Sequence, residues 1–309
     1  MTAEIARHAG DPESVTESPL WRDLYPFESH WLEIGGQRMH YLDEGQGPVL
    51  LMVHGNPTWS FYWRELVAAL RGRYRVVVPD HVGCGLSDKP PEADYPYRLA
   101  RRVGDLERLV GHLGLERITL VAHDWGGAIG MGTAVARPDR FARFVLFNTA
   151  AFRSRRMPLR IAVCRTPLLG RLGVQGLNLF ARAALRMAVC RRERITPAVR
   201  AGLLAPYDSW RNRTAIYRFV ADIPLRPRHP SYQKLVEIET GLPQFRDRPV
   251  CLIWGMRDWC FTPHFLDRFL EFFPGATVHR LAGAGHYVVE DAHEQIVPRV
   301  EEFLEGHPI

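Results

Sequence analysis

Short runs of apolar residues recur along this chain: VLLMV (49–53), RVVVP (75–79), ITLVA (118–122), FVLF (144–147), VCLIW (250–254) and TVHRL (277–281). A strand with one face in water alternates apolar and polar side chains, whereas a strand covered on both faces can be apolar throughout. The runs therefore predict a parallel sheet layered by helices. Helical patterns lie between them. The clearest spans 97–113, where Leu99, Val103, Leu106, Val110 and Leu113 recur at helical spacing and Gly114 can close the helix. Others are expected at about Phe265–Phe273 and from about Asp291 onward. His30–Asp43 reads as two strands around Gly35-Gly36, a pair suited to the left-handed φ angles of a tight hairpin. Together these elements predict an α/β fold, doubly wound, with a mostly parallel sheet of about eight strands.

The alternation breaks once. Residues 152–230 hold no good strand, are rich in Arg and Pro, and place Leu177, Phe180, Ala184 and Met187 on what reads as an apolar helical face. We read this stretch as a helical cap inserted between two parts of one core, 25–151 and 231–309. The net charge of +6 is concentrated in it: Arg153–Arg194 carries eleven Arg against one acid, or +10, which leaves the rest of the chain at −4. Such a segment is either a solvated face or a surface for anionic lipid, an acidic partner or an anionic substrate. Nucleic acid is not expected, because no helix-turn-helix, zinc-finger or RNA-binding signature accompanies the charge. The five cysteines (Cys84, Cys164, Cys190, Cys251, Cys260) lack CxxC spacing and read as free thiols. The first twenty residues lack the basic and apolar regions of a signal peptide, so the chain reads as cytoplasmic.

Ligands of open α/β sheets bind outside the carboxyl ends of the strands, so the residues that follow each apolar run matter most. They are His54-Gly55-Asn56-Pro57, His123-Asp124-Trp125-Gly126-Gly127, Gly255-Met256-Arg257-Asp258 and Gly283-Ala284-Gly285-His286. The second group, with Ala122 before it, has the layout of a nucleophile elbow: small residues allow a sharp strand-to-helix turn that lifts the central side chain. That layout identifies the α/β-hydrolase fold, with Asp124 where most such enzymes place Ser. A carboxylate is a weak nucleophile suited to displacing a good leaving group from saturated carbon, giving an alkyl ester. A C–halogen, epoxide or strained lactone carbon is thus a better electrophile for it than an ester carbonyl. As a plain helix cap, Asp124 would leave its downstream partners unexplained. Those partners follow in the order nucleophile, acid, histidine: Asp258 to orient an imidazole, and His286 as the base. Backbone N–H groups after His54-Gly55 and after Asp124 are placed for an oxyanion hole. The Asn56 amide and the Trp125 indole add two donors for a departing anion. No motif requires a metal or an organic cofactor.

The stretches HGNPTWSFYWR (54–64), PDHVGCGLSDKP (79–90), VAHDWGG (121–127), IWGMRD (253–258) and AGHYVVED (284–291) resemble haloalkane dehalogenases over nearly the whole chain after about residue 25. The resemblance implies a triad of Asp124, His286 and Asp258, with Asn56 and Trp125 binding the leaving halide. Some members of that family place the acid after the preceding strand, where this chain has the uncharged Asn148. Within the superfamily, GCGLSDKP (83–90), FNTAAF (147–152), APYDSW (205–210) and RFVADIPL (218–225) are similar to subfamily III, which is akin to the β-lactone decarboxylase of bacterial long-chain olefin biosynthesis.

The resemblance implies, first, decarboxylation of long-chain cis-β-lactones to cis-olefins, beside partner enzymes that make the lactone. The second reading is hydrolysis of haloalkanes to alcohol and halide. A third, epoxide hydrolysis, would call on two cap tyrosines, for which Tyr207, Tyr217 and Tyr232 are available, although Asn56 stands where epoxide hydrolases usually have Phe. A non-catalytic binding module is a different class, disfavoured because the chain keeps all three triad positions. Each enzymatic reading expects a small hydrophobic substrate, and the basic cap adds an expected contact with anionic membrane or an acidic partner.

Overall fold

The computed structural model describes residues 20–309, so the signal-peptide reading lies mostly outside the described residues. Among the described residues eight strands, numbered in chain order, form one sheet with the spatial order 1-2-4-3-5-6-7-8. They are β1 (His30–Ile34), β2 (Gln37–Glu44), β3 (Val49–Val53), β4 (Arg75–Pro79), β5 (Ile118–Asp124), β6 (Phe141–Thr149), β7 (Val250–Gly255) and β8 (Thr277–Leu281). Only β2 runs against its neighbours, pairing antiparallel with β1 and β4, and all other pairs are parallel. Gly35 and Gly36 turn the first hairpin at φ 59° and 79°, values that cost a residue with a Cβ.

The apolar runs are continuous because successive residues enter two different cores. Leu50 and Met52 of β3, Val76 and Val78 of β4, and Cys251 and Ile253 of β7 pack on one side, against the last helix. Leu51, Val53, Val77, Leu252 and Trp254 pack on the other, against the helices Leu99–His112 and Trp125–Ala136. Burying each such side chain contributes about 1.5–3 kcal/mol. TVHRL departs from this pattern. As β8 it is the sheet's edge, with Thr277 and Arg280 exposed and Leu281 alone buried. The pattern Leu99, Val103, Leu106, Val110 is the buried stripe of its helix, which ends before Gly114 at φ 57°. The helix expected at Phe265 spans Pro263–Phe272. The last helix spans Val288–Gly306 and starts earlier than expected, because a first turn precedes a kink at Ala292.

Between β6 and β7 the chain forms helices only, among them Leu159–Cys164, Leu179–Met187, Pro197–Leu204 and Thr214–Ala221. The apolar face expected around Leu177, Phe180, Ala184 and Met187 packs in part, with Phe180 and Ala184 half-buried against the core. Ala181 and Leu185 are the buried positions of that helix, whereas Leu177 and Met187 are exposed. Periodicity identified an amphipathic helix but not where the face that meets the core ends. Arg64 and Glu290, both buried, form a two-pronged ion pair at 2.6 and 2.7 Å that ties the helix Arg64–Leu70 to the last helix. No helix of the described residues is long and apolar enough to cross a membrane.

Candidate active site

Asp124 ends β5 and immediately precedes the helix Trp125–Ala136. Its backbone sits at φ 52°, ψ −126°, a conformation that costs a non-glycine residue about 1–3 kcal/mol and is held by its surroundings. The turn depends on small neighbours. A Cβ on Gly126 would strike the Val53 carbonyl, and one on Gly127 would strike the Thr149 side chain. Asp124 occupies the cap position of its helix, yet its side chain makes no capping hydrogen bond. The carboxylate points elsewhere. Asn56 N donates to Asp124 Oδ1 at 2.6 Å, so the backbone donor expected of an oxyanion hole holds one carboxylate oxygen. The other, Oδ2, lies 3.7 Å from His286 Nε2.

His286 Nδ1 donates to Asp258 Oδ2 at 2.8 Å, which leaves Nε2 facing the nucleophile. Asp258 is fixed in turn by Cys260 N, which donates to its Oδ1 at 2.6 Å. The two loops are stitched together because Met256 N and Arg257 N donate to the carbonyls of Leu281 and Ala284. Phe261 stacks on the imidazole at 5.7 Å between ring centres. Asp124, His286 and Asp258 are all buried. Burial pushes the Asp124 carboxyl above the usual range, against the opposing pull of His286 and the N–H groups of Asn56 and Trp125. Burial alone would lower the His286 pKa, but the carboxylates of Asp258 and Asp124 outweigh it and raise it.

Asn56 and Trp125 flank Asp124 without sharing a cavity. Asn56 lines a cavity of about 890 Å³ that also holds Asp124 and His286. Its side-chain Nδ2 donates to the carbonyl of Ile216 at 3.2 Å, and its Oδ1 is buried without a partner among the described residues. Trp125 lines a second cavity of about 120 Å³ and packs its ring on Phe219. Asp124 belongs to both cavities. The larger one runs under the helices Leu159–Cys164 and Leu179–Met187, with Phe180, Ala184 and Val174 among its apolar walls. The smaller one ends against Phe152, Leu225 and Phe265. Tyr207, Tyr217 and Tyr232 line neither. Tyr207 instead donates to the carbonyl of Thr58.

Three buried groups shape the site without standing out in the sequence. His123 Nε2 donates to the His286 carbonyl at 2.8 Å. Asn148 bridges β6 to Gly255, accepting from its N–H at 2.7 Å and donating to its carbonyl at 3.0 Å. Asp291 accepts from the backbone N–H groups of Gly285, Cys190 and Arg191. The only sequence signal was position: His123 and Asn148 lie beside strand ends, and Asp291 follows the histidine loop.

Residues 48–162 match the α/β-hydrolase fold family. The chain is 45% identical to the cis-3-alkyl-4-alkyloxetan-2-one decarboxylase of Shewanella oneidensis, over 91% of this chain and 89% of that protein. It is 34% identical to haloalkane dehalogenase 2 of Mycobacterium tuberculosis, over 90% of this chain and 96% of that one. The crystal structure of the haloalkane dehalogenase DbeA from Bradyrhizobium elkani superposes with a TM-score of 0.83 at 25% identity, over 91% of this chain and 98% of that one. The chain therefore belongs to the haloalkane dehalogenase superfamily of α/β-hydrolase-fold enzymes, alongside the β-lactone decarboxylases.

Proposed function

We propose that this enzyme converts cis-β-lactones bearing two alkyl chains into cis-olefins and CO₂. The observation that carries the reading is the meeting of two largely apolar cavities of unequal size at one carboxylate, Asp124. A β-lactone substituted on both ring carbons sends two chains outward from the reacting centre, one for each cavity. A linear haloalkane needs only one. The name of the Shewanella relative, at 45% identity, describes a lactone of that pattern.

In this reading Asp124 Oδ2 attacks the ring carbon that bears the ring oxygen. The C–O bond breaks, its electron pair leaves on a carboxylate, and an alkyl ester forms on Asp124 with inversion. Next, the C–C bond to that carboxylate breaks and its electrons form the alkene as the bond to Asp124 breaks. CO₂ departs, Asp124 is regenerated, and no water is consumed. Loss anti to the ester oxygen, after inversion, restores the cis geometry. Protonated His286, held by Asp258, faces Asp124 as its charge returns, and the Trp125 indole N–H is the donor left to meet the leaving carboxylate, because the side-chain donor of Asn56 is held by the Ile216 carbonyl.

Hydrolytic dehalogenation is the second reading, favoured by one observation: Nε2 of His286 faces Asp124 at 3.7 Å, where a base activating water against the ester belongs. A paired assay on one preparation separates the two. Alkene and CO₂ from a long-chain cis-β-lactone, with little bromide from a medium-chain bromoalkane, is the expected result. Fast bromide release without alkene would reverse the ranking. His286→Ala should retain lactone turnover, whereas a dehalogenase would stall as an alkyl-enzyme. The positions of the three tyrosines away from both cavities disfavour epoxide hydrolysis.

We further assign 152–230 as the cap over a core of 25–151 and 231–309. We place the protein in the cytoplasm, beside enzymes that form its lactone, consistent with five free cysteines.

A further inference from the structure

Nine of the eleven large apolar side chains exposed among the described residues fall between Leu159 and Trp210. Leu159, Leu168 and Leu169 are 79%, 84% and 76% exposed. Cations are interleaved with them. Arg153, Arg171 and Arg194 meet Glu239, Glu92 and Glu294, but Arg155, Arg156, Arg160, Arg182, Arg186 and Arg192 meet no carboxylate among the described residues. On the helix Leu179–Met187 the exposed positions Leu179, Arg182, Arg186 and Met187 gather opposite the buried Ala181 and Leu185. Val163, Leu169, Leu179 and Met187 are at once exposed and part of the wall of the larger cavity, so that cavity opens onto this face.

We propose that this face docks on an anionic lipid bilayer, with the mouth of the larger cavity turned toward the acyl chains. Among the described residues no protein covers these apolar side chains, and the guanidinium groups that meet no carboxylate there are what a surface of anionic headgroups attracts. A second copy of the chain is a poorer occupant, because a self-contact through this face would set one field of arginines against another. A lipophilic ligand moving between Asp124 and an apolar phase would then avoid water. This inference goes beyond the substrate reading and stands apart from it, since vesicle binding needs no turnover.

Flotation of the full chain with phosphatidylcholine vesicles, with and without phosphatidylglycerol, tests it. Binding should be at least about tenfold stronger with phosphatidylglycerol and should weaken as salt rises. Arg155→Gln/Arg156→Gln/Arg182→Gln should lose about fivefold per arginine on the anionic vesicles. Leu168→Asp/Leu169→Asp should lose binding altogether. All five side chains are exposed, so both variants should keep the parent's melting temperature, which is measured alongside. Absence of salt-sensitive binding to anionic vesicles would overturn the proposal. So would a Leu168→Asp/Leu169→Asp variant that still binds vesicles but sediments as a monomer where the parent is oligomeric, which would make the face a contact between copies.

Discussion

The carboxylate of Asp291 reaches the backbone N–H of Cys190 with both oxygens, at 3.0 and 2.9 Å, linking the last helix to the middle of the helical insertion. It also accepts from Arg191 N at 2.8 Å and from Gly285 N at 2.7 Å. One buried side chain thus fixes both the insertion and the residue before His286. Asp291→Ala leaves these N–H groups without their acceptor, and each hydrogen bond to a charged group contributes about 1.5–3 kcal/mol. The expected loss is about 3–5 kcal/mol in denaturant unfolding, with a fall in any bromide release because Gly285, and with it His286, is no longer held.

Asp124→Asn should abolish turnover and stabilise the fold. Burial raises the Asp124 pKa above its unfolded value, so the ionised form is disfavoured in the folded protein. That penalty is absent below the unfolded pKa, grows as pH rises between the two values, and is complete above the folded one. The asparagine variant should therefore melt a few degrees higher near pH 7.5, with the difference closing near pH 4. Thermal scans of both proteins at the two pH values check this, and an equal difference at both would refute it.

Asp258→Asn should lower the pKa of His286. Burial pulls that imidazole down, and Asp258 is the main group that raises it again. With the folded value raised, the histidine contributes stability that is full below its unfolded pKa and is lost as pH rises through the folded one. Removing the Asp258 charge removes that contribution. Titration of the imidazole proton resonances by NMR should show a downward shift. Any bromide release should fall about 10³–10⁴-fold, because the imidazole loses its orienting acceptor.

Ala150→Phe should fill the smaller cavity, which Ala150 lines beside Phe152 and Phe265. Turnover of a β-lactone with two long chains should drop steeply, while a lactone with one chain reduced to methyl should be spared. The ratio of kcat/KM values for the two substrates reports this. An unchanged ratio would mean that the second chain does not enter there.

The sheet was legible in the sequence because strands such as β3 and β4 feed two cores in turn, which makes them apolar at every position. The elbow was legible because Gly126 and Gly127 are demanded by the close approach of Val53 and Thr149. Asp258 and His286 could be placed because each follows a strand. Asp291 could not, since its acceptor role depends on N–H groups some hundred residues away, at Cys190 and Arg191. The side-chain donor of Asn56 was expected to face an anion, yet in this structure it meets the carbonyl of Ile216, a partner supplied by the helix Thr214–Ala221. Of the cap face read from the sequence, Phe180 and Ala184 pack against the core while Leu177 and Met187 stay exposed. Amphipathic spacing is the same whether an apolar stripe meets core, cavity or solvent.

Tyr287 N donates to the carbonyl of Ala188 at 2.7 Å, beside the bonds from Cys190 and Arg191 to Asp291. The insertion therefore cannot be exchanged between relatives like a cassette. A foreign cap, however well its walls suited a new substrate, would have to present one carbonyl and two N–H groups at these places. Without them the histidine loop would lose its register, and a chimera would inherit a new pocket around a displaced base.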